Sequence, residues 1–227
     1  MQRILVIAAH PDDEVLGMGG TIAKYADKGC DITLLIVTDG STAQYRGNPE
    51  IEDIIAEKRR ETAECAKILG IGEVLYGGLP DMRLDSVDHI NVNAVIERVI
   101  EQIKPDVVYT HFGGDINMDH RCVYESTIVA CRPISTQSVK RLFLYATPSS
   151  TEWNAQLSQN VFMPNWYESI DEKYANEKYS AMLQYKTELR EYPHPRSIEA
   201  LKYRDLSEGN KVGVDKAESF VLIRCIE

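Results

Sequence analysis

The sequence predicts an open, mostly parallel α/β sheet of Rossmann-like plan with helices on both faces, and three observations lead there. Short apolar runs recur at 4–8, 32–37, 74–76, 107–110 and 142–145; they are short, β-branched and bounded by turn residues, so they read as buried strands. Amphipathic stretches of helical period alternate with them, a pattern that gives a parallel sheet with right-handed crossovers. Polar clusters directly follow the first, second and fourth runs, which puts them at strand carboxyl ends, where open α/β sheets bind ligands. In the order 3-2-1-4, strands one and four are neighbours at the switch point.

In chain order, the run ending at Ala8 is followed by Ala-His-Pro-Asp-Asp-Glu at 9–14. Pro11 disfavours helix at His10 and holds it extended. Leu16, Ile22, Ala23 and Ala26 mark a helix over 15–29 that leaves at Gly29. The strand at 32–37 ends in Thr38-Asp39-Gly40-Ser41, and the polar stretch 42–50 reads as a mobile loop. A long amphipathic helix spans 51–69 and stops at Gly70; a short strand at 74–76, a loop at 77–81 and a helix at 90–103 follow. The fourth strand leads to Asn117-Met118-Asp119-His120, with a helix expected over 121–132. Beyond the fifth strand, residues 148–169 form a long loop carrying Trp153, Phe162 and Trp166, placed to wall a ligand pocket. A helix over 171–189, the breaker Tyr192-Pro193-His194-Pro195-Arg196 and a last strand at 220–223 complete the chain, which reads as one domain over 1–227.

The composition narrows the function. No apolar stretch approaches a transmembrane length, and the amino terminus has no signal-peptide pattern. The five cysteines are scattered and unpaired in spacing, as expected of a reduced, cytoplasmic protein. A net charge of −10 argues against nucleic acid as a partner and against anionic membranes; a homo-oligomer is compatible with all of this.

The chemistry concentrates at the two strand ends. His10 with an adjacent carboxylate is a partial metal site, and His120 offers a third ligand, His111 being the next candidate. Asp12 and Asp13 are neighbours whose side chains leave the backbone in different directions, so one can bind a metal while the other faces a substrate. Two histidines and one carboxylate with open positions suit a catalytic Zn2+ and equally a non-haem Fe2+. Glu14 either orients His10 or sits at a helix start; Asp119 either bonds a ligand histidine or caps the following helix.

On AHPDDE at 9–14 and DINMDH at 115–120, with Gly19-Gly20, KRRETAECAKILG at 58–70 and LPDMRL at 79–84, the sequence resembles the PIG-L/LmbE-like family of zinc-dependent N-acetylglucosaminyl deacetylases. The likeness covers most of residues 1–135. It implies Zn2+ held by His10, Asp13 and His120, Asp12 as general base, and an N-acetylated amino-sugar substrate, phosphate- or nucleotide-linked in some conjugates. Lys58 and Arg59 are then the expected substrate contacts, although the family usually has arginine where Lys58 stands. It also often has histidine where Asn117 stands; an amide can donate a hydrogen bond to an oxyanion but delivers no proton near pH 7. The proline-held His194 is therefore expected to supply the acid and Arg196 to hold substrate, with His111 or Asp12 alone as the alternatives. Two other functions compete: the same hydrolysis on a sugar-linked thiol precursor or natural-product glycoside, and a nucleotide-binding module without chemistry, which the HPDDE carboxylates disfavour.

Overall fold

The computed structural model describes residues 1–227 except Ala43, Gln44 and Arg46, so the loop expected at 42–50 lies partly outside the described residues. Its elements are β1 (Arg3–Ala8), α1 (Asp13–Asp27), β2 (Asp31–Thr38), α2 (Ile51–Leu69), β3 (Glu73–Leu79), α3 (His89–Ile103), β4 (Val107–His111), α4 (Met118–Ala130), β5 (Arg141–Tyr145), β6 (Trp166–Ser169), α5 (Glu172–Met182), α6 (Ile198–Val212) and β7 (Ala217–Cys225). Short 3-10 turns sit at Leu84–Ser86 and Thr151–Trp153.

The strands make one seven-stranded sheet in the order β3-β2-β1-β4-β5-β7-β6. β1 to β5 are parallel, and β7 runs antiparallel between β5 and β6. The 3-2-1-4 order expected from sequence is present. β1 shows why: Ile4, Val6 and Ala8 join the core under α1, α2 and α5, whereas Leu5, Ile7 and Ala9 join the core under α3 and α4. A strand buried on both faces needs a continuous apolar run rather than an alternating one.

Boundaries differ where tertiary contacts override local signals. β3 continues through Gly77 to Leu79 because that backbone passes close to β2; a Cβ on Gly77 would lie 2.5 Å from the Val37 carbonyl oxygen. The helix expected over 171–189 stops at Met182. Tyr185 beyond it is fully buried and donates to Glu14 Oε1 at 2.5 Å, drawing the chain off the helix axis. His194 and Ser197 then close two tight turns, with His194 N–H to Glu191 O and Ser197 N–H to His194 O. Ser197 caps α6 by accepting from Ala200 N–H at 3.1 Å. The aromatic side chains of the 148–169 loop pack on protein: Phe162 on Phe112 and Trp153 on His194.

Candidate metal centre

β1 lies between β2 and β4, so the chain leaves it in one direction and returns on the other side, opening a crevice at the strand carboxyl ends. A cavity of about 360 Å³ occupies that crevice. Its floor is the turn after β1. There Asp12 precedes α1 with φ of 104°, a left-handed conformation that asparagine and aspartate tolerate better than most residues. This reversal separates the two adjacent carboxylates. Asp13 turns back to accept from His10 N–H at 2.8 Å, while Asp12 faces the cavity.

His10, Asp13 and His120 converge. His10 Nδ1 is 3.2 Å from His120 Nε2, and each lies 3.4 Å from an Asp13 carboxylate oxygen. The far nitrogen of each ring faces a carboxylate. His10 Nε2 is 3.0 Å from Asp119 Oδ2 and 3.2 Å from Asp81 Oδ1; His120 Nδ1 is 3.2 Å from Asp115 Oδ2. With the outer nitrogens facing carboxylates, Nδ1 of His10 and Nε2 of His120 point at each other and at Asp13, and each would offer a lone pair there once its ring gives up a proton. Separations of 3.2–3.4 Å match the edge of a tetrahedron whose corners lie about 2.0–2.1 Å from its centre, so the donor set fits a small divalent cation.

The electrostatics agree. Burial opposes charge on His10, but the carboxylates of Asp119, Asp13 and Asp81 outweigh it and raise its pKa well above the ordinary value. Burial likewise opposes charge on His120, yet Asp13 and Asp115 lift it to about 9. Burial works against ionised Asp13, but His120, His111 and His10 hold its carboxyl well below the usual range. Without an ion, protons supply the positive charge this cluster requires. Adding Zn2+ to metal-free protein at pH 7 should therefore release at least about one proton per ion bound, measured by calorimetry in buffers of different ionisation enthalpy. No release would mean that both rings are already neutral.

Other residues fix the candidate ligands. Asp119 is fully buried and accepts from Met82 N–H at 2.6 Å and Leu84 N–H at 3.0 Å while it holds His10. Of its two expected roles, bonding His10 is the one the geometry displays; the cap of α4 is Asn117, whose Oδ1 accepts from Asp119 N–H. Asp119→Ala should lower metal affinity about 10- to 100-fold, read by competition with a chromophoric chelator. Asp115, missed from sequence, stands behind His120 and is itself gripped by the hydroxyls of Ser150 and Thr151. Its place in DINMDH was the available signal.

His111 stacks on His120 with ring centroids 4.0 Å apart, but it is sealed off. Its Nε2 accepts from Ala9 N–H at 2.9 Å, and burial with His120 beside it lowers its pKa to about 4. It braces the His120 ring, with its own Nε2 committed to the backbone. Glu14 sits in the first turn of α1, as one of its two expected readings had it, and does not reach His10. It points into the core against Tyr185 and Cys65, where burial raises it to about 7.

The expected substrate residues separate. Asn117, Lys58 and Arg196 line the cavity; Arg59 and His194 do not. Lys58 Nζ is spent on the Gly40 carbonyl and on Glu188 at 2.7 Å. Arg59 is exposed and lies over the Tyr76 ring at 4.8 Å. His194 Nδ1 accepts from Arg196 N–H at 3.1 Å, and its ring packs edge-on against Trp153. Its prolines do deliver Arg196, whose guanidinium reaches Glu188 at 2.7 Å, Ser149 at 2.8 Å and Asp12 at 3.4 Å. Burial pushes the Asp12 carboxyl well above the usual range, and Arg196 opposes that shift.

The family model described as PIG-L, GlcNAc-PI de-N-acetylase, matches residues 5–131. A relative described as "Uncharacterized deacetylase YaiS" from Escherichia coli K12 is 31% identical over 188 residues, covering 81% of this chain and 90% of its own length. A probable N-acetyl-alpha-D-glucosaminyl L-malate deacetylase 2 from Bacillus anthracis is 26% identical over 160 residues, covering 69% of this chain and 70% of its own. Among solved structures, the conserved protein TT1542 from Thermus thermophilus aligns with a TM-score of 0.78 at 27% identity, over 100% of this chain and 97% of that one.

Proposed function

The chain belongs to the PIG-L family of de-N-acetylases, and on that premise we propose that it hydrolyses the N-acetyl amide of an amino sugar or amino-sugar conjugate, working as one domain. We assign a divalent ion, Zn2+ first and Fe2+ second, to His10, Asp13 and His120. The observation that carries this reading is the convergence of three potential ligand atoms within 4.8 Å of one another beside a carboxylate, Asp12, that is not among them. The nucleotide-binding alternative finds carboxylates at the end of β1 where phosphate would need amides.

A divalent ion in that site supplies Lewis acidity, which makes water nucleophilic near neutral pH and polarises an amide carbonyl. The protein's own groups do the rest. Asp12 accepts the proton as water oxygen bonds to the acyl carbon. Its raised pKa makes it a stronger base than an exposed carboxylate, nearer the operating pH. When the carbon–nitrogen bond breaks, the leaving nitrogen needs that proton. Asn117 cannot give one, since its Oδ1 caps α4 and its Nδ2 turns to Met82 Sδ. With His194 away from the cavity and His111 sealed, Asp12 returns the proton itself, giving acetate and a free amine. Arg196 holds Asp12 in place through the whole cycle, and Glu188 and Ser149 hold Arg196. Acetate release across a panel of N-acetyl sugars and glycosides tests this reading; the account expects turnover on at least one of them, and a panel entirely inert with metal-loaded protein would remove it.

A further inference from the structure

Met82 and Ile116 stand on the wall of the same cavity whose floor carries the ligand cluster. Both are about half exposed, at 53% and 48%. Their position relative to the cluster is fixed. Met82 has φ of 51°, and its N–H is bound by the same Asp119 oxygen that holds His10. Ile116 lies in the turn between Asp115 and Asn117, and Asn117 Nδ2 reaches Met82 Sδ at 3.4 Å. The apolar pair is thus built into the scaffold of the centre and opens to solvent just above it.

The charge of the cavity points the same way. Among the described lining residues, Asp12, Asp13, Asp81 and Glu188 face two cations, Lys58 and Arg196. Both cations are already bound to Glu188. A divalent ion would bring this lining near neutrality, and both of its described cations are engaged by Glu188 rather than open to an anionic group. The candidate anion contact at Arg59 lies on Tyr76, and Arg121 is held by the Asp115 carbonyl.

We propose that Met82 and Ile116 form an apolar subsite for the group attached to the amino sugar, and that this group is uncharged and aryl or alkyl rather than phosphate. The inference rests on the deacetylase reading and narrows its substrate class. An acetamido group at the cluster leaves the rest of the conjugate to leave the cavity along this wall, where apolar surface removed from water adds to transition-state binding.

The test compares three N-acetylglucosamine derivatives: the 4-methylumbelliferyl glycoside, the methyl glycoside and the 1-phosphate, each with metal-loaded wild-type protein and with Ile116→Ser. Ile116 is half exposed on a loop, so the substitution leaves the fold intact. The aryl glycoside should exceed the methyl glycoside in kcat/KM by about tenfold or more, and the phosphate should be the poorest. Ile116→Ser should bring the aryl-to-methyl ratio down towards about one. A phosphate that matches the aryl glycoside, or a ratio that Ile116→Ser leaves unchanged, overturns the subsite while deacetylation stands. If none of the three is hydrolysed, titration calorimetry of the same compounds decides. Tighter binding of the aryl glycoside that Ile116→Ser removes keeps the subsite and sinks deacetylation; equal binding of all three overturns the subsite as well.

Discussion

His120→Ala should remove metal and activity together. His120 is 2% exposed in the first turn of α4, with one ring nitrogen 3.4 Å from Asp13, the other 3.2 Å from Asp115, and its face on His111. His111, stacked on it, does not take its place, because its Nε2 is committed to Ala9 N–H. Two ligands cannot retain the ion against water, so affinity should fall by at least about 10²-fold, beyond the range seen when only a supporting carboxylate is lost. Elemental analysis gives the metal content, acetate release the activity, and circular dichroism the fold. A folded variant at full occupancy would move the ion elsewhere, and His10, Asp81 and Asp119 are the other described set close enough to hold one.

Asp12→Asn should do the opposite to metal and nearly the same to activity. Asparagine keeps the shape of the side chain and tolerates the left-handed backbone at this position, so the turn after β1 should survive. Asp12 supplies none of the three converging donor atoms, so occupancy should stay at wild-type level. The amide cannot accept the proton from water, and in this site it cannot return one to nitrogen either. Turnover should fall by at least about 10²-fold, towards 10⁴-fold if both transfers depend on it. KM should change far less, since Arg196 keeps Glu188 and Ser149 as partners. Retained turnover would reduce Asp12 to a residue that shapes the loop.

The parts of the fold that were legible in sequence are those where a local pattern and a global role coincide. β1 needed to be apolar on both faces because it is central, and the polar residues after it needed to be where strand ends meet. The candidate ligands His10, Asp13 and His120 follow from that placement and from the family resemblance, and the structure brings the three side chains together. The supporting groups were harder to read. Asp115 stands behind His120 only because Ser150 and Thr151 hold it there, hydroxyls about 35 residues away that no local spacing connects to it. α6 escaped notice because only Leu201, Asp205 and Gly209 along it are buried, too sparse a stripe to stand out. β6 is four residues long and sits at the sheet edge, with half of it exposed. His194 shows a reading that was right about the segment and wrong about the side chain. The prolines do bring that stretch over the cavity, but the imidazole turns back to Arg196 N–H and it is the guanidinium that arrives. Lys58 and Arg59 show the limit of charge counting, because sequence reveals a cation but not the Glu188 or Tyr76 that already occupies it.

The most direct test of the account is acetate release from an N-acetylglucosamine glycoside by protein stripped with chelator and then titrated with Zn2+. Activity should be absent from the stripped protein and should return in proportion to added ion, levelling off at about one equivalent, as three convergent ligands require. Acetate release that survives complete stripping would contradict it, as would one tightly bound equivalent that restores no activity on any acetylated sugar.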